Sequence, residues 1–230
     1  MKKQVICLGD SLTKGMAGYS YIDYLENKNK YINKGLNNDT LMGAFERLLI
    51  CMNEYPKVND YVISIGINDV LLPYLSSLSS LWYKECKLTK LDLCLNNDDD
   101  FILIYDTMLS LLKSNHKNVL ILGMPVIQID GFPLEKELQR NNFIKELADK
   151  YDYNFVDVYE LQKNYIKEYN TISWNQKNFR ILFDYYLMAT KPSSKDKLSE
   201  KKNLELTVDG VHYNKVSAEL IALEVDKYLK

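Results

Sequence analysis

The chain has 230 residues, 47% apolar and 26% charged, with a formal net charge of −2. That length suits one domain with a substantial core, and the apolar and charged shares are those of a globular chain rather than a disordered one. The near-neutral charge offers no basic field for a nucleic-acid partner, and only Arg47, Arg140 and Arg180 carry a guanidinium fork.

The first apolar run, at 5–8, is four residues long and ends at Gly9, which predicts a short buried strand. It is too short for the core of a secretory signal, and no window is long and apolar enough for a membrane span. Four scattered cysteines, Cys7, Cys51, Cys86 and Cys94, lack metal-site spacing. They read as free thiols, so a cytoplasmic location is expected, with no metal or cofactor.

Further strands are predicted at 31–33 (ending at Gly35), 60–65 (stopped by Gly66), 118–123 and 154–158. Helical patterns lie between them. Asp39-Thr40 can cap a helix with Leu41, Phe45, Leu48, Leu49 and Met52 on its apolar face. Residues 101–112 are apolar almost all round, 134–151 are amphipathic, and 215–229 close the chain with Val216, Leu220, Leu223 and Tyr228 as the expected buried side. Strands alternating with helices imply an α/β fold, a three-layer α/β/α sandwich around a parallel five-stranded sheet. Ligands in such sheets bind beyond the carboxyl ends of the strands. A single domain is expected over 1–230.

Two connections, 71–97 and 160–206, exceed what the fold needs. In the second, Phe179, Leu182, Phe183, Tyr186 and Leu187 fall on one helical face. It continues into the polar stretch Lys191-Pro192-Ser193-Ser194-Lys195-Asp196-Lys197, read as a mobile hinge. A helix over 171–190 is therefore expected to wall or cover a pocket.

The turns at the expected active edge carry chemistry. Ser11 follows the first strand within Gly9-Asp10-Ser11-Leu12, where a serine can act as nucleophile or as helix cap. Gly35 follows the second, and Asn68 the third within Gly66-Ile67-Asn68-Asp69. Near the end, Asp209-Gly210-Val211-His212 sets a carboxylate three residues before a histidine, so that Asp209 can accept from Nδ1 while Nε2 serves as a base. Asp10 reads as organising the serine turn and Asp69 as capping the helix after it. The other histidine, His116, lies before the fourth strand, away from the active edge.

Ser11, Gly35, Asn68 and His212, in that order and in those contexts, resemble the SGNH hydrolases, also called GDSL esterases and lipases. The resemblance implies a flavodoxin-like sandwich and a serine esterase with a Ser11–His212–Asp209 triad. It also implies an oxyanion hole from the N–H groups of Ser11 and Gly35 and the Asn68 amide, with no cofactor. Two departures from the family pattern are Asn38, where a second glycine is usual, and Tyr213 and Ser217, where proline and glycine often follow the histidine. The implied substrate is a small-molecule acyl ester, with acetyl or short chains favoured. Acyl transfer, thioester or lysophospholipid hydrolysis by the same triad, and a non-catalytic flavodoxin-like binding module, are the alternatives.

Overall fold

The computed structural model describes residues 4–174 and 178–229, with side chains from 183 onward in the second segment. In chain order the elements are β1 (Val5–Gly9), α1 (Ser11–Lys14), β2 (Tyr31–Gly35), α2 (Leu41–Glu54), β3 (Asp60–Ser64), α3 (Asn68–Leu78), α4 (Ser80–Leu88), α5 (Asp98–Ser114), β4 (Asn118–Leu122), α6 (Leu134–Lys150), β5 (Asn154–Val156), α7 (Val158–Lys163), α8 (Asn178–Thr190), α9 (Ser194–Lys201) and α10 (Lys215–Asp226). The five strands form one parallel sheet in the order β2-β1-β3-β4-β5.

β1 and β3 are buried along their whole length, as central strands covered on both faces must be. The strand order reverses direction between β1 and β3, so the turns after these two strands diverge to opposite sides and leave a crevice. Ser11 opens the turn after β1 and Asn68 follows β3.

All five expected strands form. The helix faces differ in instructive ways. In α2 the buried stripe is Leu41, Ala44, Leu48 and Cys51, whereas Leu49 is turned outward. α5 is one-sided rather than apolar all round: Phe101, Tyr105, Met108, Leu109 and Leu112 are buried, but Leu103 is exposed. In α10 the buried side is Ser217, Ala218, Ile221, Ala222 and Val225, while Leu223 and Tyr228 face solvent and Val216 and Leu220 are half-buried. Small residues there let α10 lie close against the 3-10 turn Tyr21–Tyr24.

The polar stretch read as a mobile hinge is largely a helix, α9. Lys195 within it is buried, with its ammonium donating to the carbonyls of Gly15 and Gly18. In α8 the inward residues are Asp184 and Met188, with Tyr185 and Leu187 partly covered. Phe183 and Tyr186, the expected pocket-facing aromatics, are 62% and 65% exposed. The side chains of Phe179 and Leu182 lie outside the described residues.

Candidate active site

Each site residue is held by the element that precedes or follows it. Asp10 caps α1, its Oδ1 accepting from the N–H of Leu12 at 2.9 Å. This leaves Ser11 as the first helical residue, with its hydroxyl free of the cap. At the other end of the chain Asp209 folds its own turn: Oδ1 accepts from the N–H groups of Val211 (3.0 Å) and His212 (2.9 Å). Gly210 permits the bend with φ +97°, a backbone region that disfavours side chains. Trp174 Nε1 donates to the Asp209 carbonyl at 2.8 Å, fixing the turn from outside.

The turn brings residues 201 positions apart into contact. His212 Nε2 lies 3.2 Å from Ser11 Oγ, and Nδ1 lies 2.8 Å from Asp209 Oδ2. An imidazole in this position can take a hydroxyl proton on one nitrogen while the carboxylate orients the other and stabilises the charged ring. The electrostatics agree. Burial disfavours the imidazolium, but the Asp209 charge and hydrogen bond outweigh it, with help from Asp10, so His212 sits above its ordinary pKa of 6.5. Burial likewise works against the Asp209 anion, yet His212 and the two N–H donors hold its carboxyl below the usual range.

The same crevice collects hydrogen-bond donors. Asn68, at the start of α3, is buried and lines the cavity beside Ser11 and His212. One of its amide hydrogens goes to the Asp39 carbonyl at 2.8 Å, which leaves the second for the cavity. Asn38 also lines the cavity. It adopts a left-handed φ of 55°, as asparagine tolerates, and its N–H has no hydrogen-bond partner among the described residues. Gly35 does not line the cavity. Its N–H is spent on Asn33 Oδ1 at 2.9 Å, and a Cβ there would collide with the backbone of Thr13 and Lys14. The glycine expected as an oxyanion donor is thus a packing glycine between β2 and α1.

The turn from Leu36 to Thr40 is pinned from several sides. Asp39 is fully buried and carries both Arg47 and Lys90, and Arg47 also donates to the carbonyls of Gly9 and Lys34. Asp69 does not cap α3, the role expected for it. Its carboxylate accepts from the N–H groups of Leu41 and Leu95, so it ties α2 and the end of the first inserted connection to the start of α3. Burial raises its carboxyl to about 6, opposed by those two N–H donors.

The cavity, about 210 Å³, continues from Ser11 past Leu71, Leu72 and Trp82 to Tyr185 of α8. Sequence reasoning missed Asn38, Trp82, Trp174 and Tyr185. The only signal for the tryptophans was that the chain has just two, one in each long connection. His116 is exposed in a left-handed turn, outside the cavity lining, as expected. Among the described residues no group of three or more His, Cys, Asp or Glu could hold a metal ion, and no helix is long and apolar enough to cross a membrane.

Known proteins fit this architecture. The lipase/acylhydrolase of Enterococcus faecalis superposes with a TM-score of 0.58 at 17% identity, covering 99% of this chain and 95% of that one. A GDSL-like lipase from Bacteroides thetaiotaomicron gives 0.62 at 17%, covering 99% and 88%. An acetyl xylan esterase from Geobacillus stearothermophilus gives 0.61 at 15%, covering 96% and 91%. At these identities the likeness speaks for the fold. A search of curated protein sequences finds no significant match. The profile of the GDSL-like Lipase/Acylhydrolase family matches residues 5–225, nearly the whole chain, and the protein therefore belongs to this family of enzymes.

Proposed function

We propose that the protein is a serine esterase that hydrolyses small-molecule acyl esters through a covalent acyl-enzyme on Ser11. The observation that carries this reading is the unbroken hydrogen-bonded line from Asp209 through His212 to Ser11 at the head of a cavity. His212 Nε2 takes the Ser11 proton as Oγ attacks the acyl carbonyl carbon, and the carbonyl π electrons move to oxygen. The oxyanion is met by the N–H groups of Ser11 and Asn38 and by the Asn68 amide, with Asn38 in the place the sequence assigned to Gly35. Collapse of the tetrahedral intermediate expels the alcohol, which takes the proton from Nε2. Water then attacks the acyl-serine by the same route, releasing the acid and restoring the hydroxyl.

Acetyl and short acyl chains are the minimal substrates of this site, a reading supported by the fold shared with acetyl xylan esterases. The cytoplasm is the proposed compartment, supported by four cysteines that are all buried free thiols. A fluorophosphonate that phosphonylates activated serines should label the wild type and leave Ser11→Ala unlabelled. Equal labelling of the folded Ser11→Ala protein would place the nucleophile elsewhere.

A further inference from the structure

The cavity does not stop at the reacting groups. Asn68, Leu71, Leu72 and Leu75 all line it from α3, at the i, i+3, i+4, i+7 positions that share one helix face. With a rise of 1.5 Å per residue, that stripe extends about 10 Å from Asn68 to Leu75. From the α4 side Trp82, Glu85, Cys86 and Thr89 line it, with Trp82 and Cys86 buried, Glu85 half-buried and Thr89 exposed. All five apolar residues are buried.

The apolar residues of this wall have no hydrogen bond to offer. Trp82 Nε1 is bound to the Trp174 carbonyl at 3.0 Å and Trp174 Nε1 to the Asp209 carbonyl. The two rings stack on each other at 5.4 Å and 17°, so neither presents the open pair of faces that would cage a cation. Cys86 behaves as a small hydrophobe. The polar lining residues Asn37, Asn38, Glu85, Thr89 and Tyr185 are half-buried or exposed. The cavity therefore has a buried apolar floor along α3 and a more exposed polar rim.

We propose that the α3–α4 face is an acyl slot and that the preferred substrates are esters of unbranched, medium-length alkyl acids. The inference rests on the reading that Ser11 is acylated. His212 must hand its proton to the leaving alcohol, so the alcohol lies on the imidazole side. The acyl substituent takes the other direction, from Asn68 along α3 to Leu75. A branched or hydroxylated acyl group lying on the leucines of α3 would meet either the Leu71–Trp82 walls or side chains that offer no polar partner. An extended chain advances about 1.2 Å per bond, so the ~10 Å stripe accommodates roughly eight bonds.

The test is a series of p-nitrophenyl esters from acetyl to dodecanoyl, with one leaving group throughout. kcat/KM should rise about two- to fourfold per methylene, the gain from burying each CH2, until roughly eight carbons, and then fall. Leu75→Trp shortens the slot and should lower the octanoyl-to-acetyl ratio at least about tenfold. Leu75→Ala lengthens it and should move the optimum to a longer chain, an arm that stands if the tryptophan variant does not fold. A wild-type profile that falls from acetyl onward, or an optimum that neither folded variant moves, would overturn the slot while leaving Ser11 labelled by fluorophosphonate. Failure to cleave any ester together with an unlabelled Ser11 would overturn the esterase reading and the slot with it.

Discussion

The two long connections differ in what holds them. The first, which forms α3 and α4, is secured by apolar burial: Leu71, Leu72, Leu75, Trp82 and Cys86 all face inward and together make the cavity floor. The second, which forms α7, α8 and α9, holds its last two helices mainly by polar clasps. Lys195 reaches the Gly15 and Gly18 carbonyls, Lys202 pairs with Asp184 at 2.8 Å, and the Tyr185 hydroxyl accepts from Asn37. Among the described residues a small cluster of Ala17, Met188, Leu198 and Val208 lies beneath, with Tyr185 and Leu187 packed against it. Large apolar residues therefore mark the inward face of the first connection, whereas the apolar stripe read in the second misleads, because Phe183 and Tyr186 face water.

The largest effect that tests this contrast lies where the first connection begins. Asn68→Ala should lower kcat by about 10²–10³-fold with a smaller change in KM, as removal of one oxyanion donor does. A rise in KM alone would make Asn68 a ground-state contact and detach α3 from the chemistry.

In the second connection, Lys195→Met should cost about 1–3 kcal/mol, because the buried Gly18 carbonyl and the part-buried Gly15 carbonyl lose their donor. It should also shift the acid limb of kcat/KM to higher pH, since the lysine charge opposes protonation of His212. Thermal unfolding and pH profiles of the variant read the two effects separately. An unchanged melting temperature would show that the clasp contributes nothing to the fold.

The smallest effect is expected at the exposed aromatics. Phe183→Ala and Tyr186→Ala should each change stability by less than about 0.5 kcal/mol and leave the acyl-chain profile as it was. A shifted profile would restore these residues as cavity walls.

The parts of this molecule that were legible in the sequence are those where chemistry or backbone geometry leaves few choices. β1 is an apolar run ended by glycine and β3 a largely apolar one stopped by Gly66, and Ser11, Asn68, Asp209 and His212 follow strand ends or a tight turn where their side chains must reach one crevice. The donor in the second turn was misplaced because glycine draws the eye, whereas the cavity-lining position is the left-handed Asn38 three residues on. Helix faces were misread where small or polar groups are buried, as with Ala218 and Ala222 of α10 or Asp184 of α8. Residue size ranks burial poorly where helices pack closely or where an ion pair supplies the anchor. Trp174 could not have been foreseen, since its role depends on a stack with Trp82 and a bond to Asp209 across the fold.

Glu137 shows the same limit from the other side. It is completely buried in α6, and neither carboxyl oxygen has a partner among the described residues. Burial raises its pKa well above the usual carboxylate range, which favours the neutral acid in the folded protein. Its folded pKa exceeds the unfolded one, so it weakens the fold progressively as pH rises above the unfolded value. No local pattern distinguishes it from the solvated glutamates of an amphipathic helix.

The pH dependence of kcat/KM for wild type and His212→Ala tests the central claim most directly. The base works only when neutral, so activity should rise with pH through a single ionisation placed above the ordinary histidine value of 6.5, as the Asp209 carboxylate requires. That limb should be absent from whatever activity His212→Ala retains. A limb that survives unchanged in the folded variant would show that another group accepts the Ser11 proton and would contradict the account.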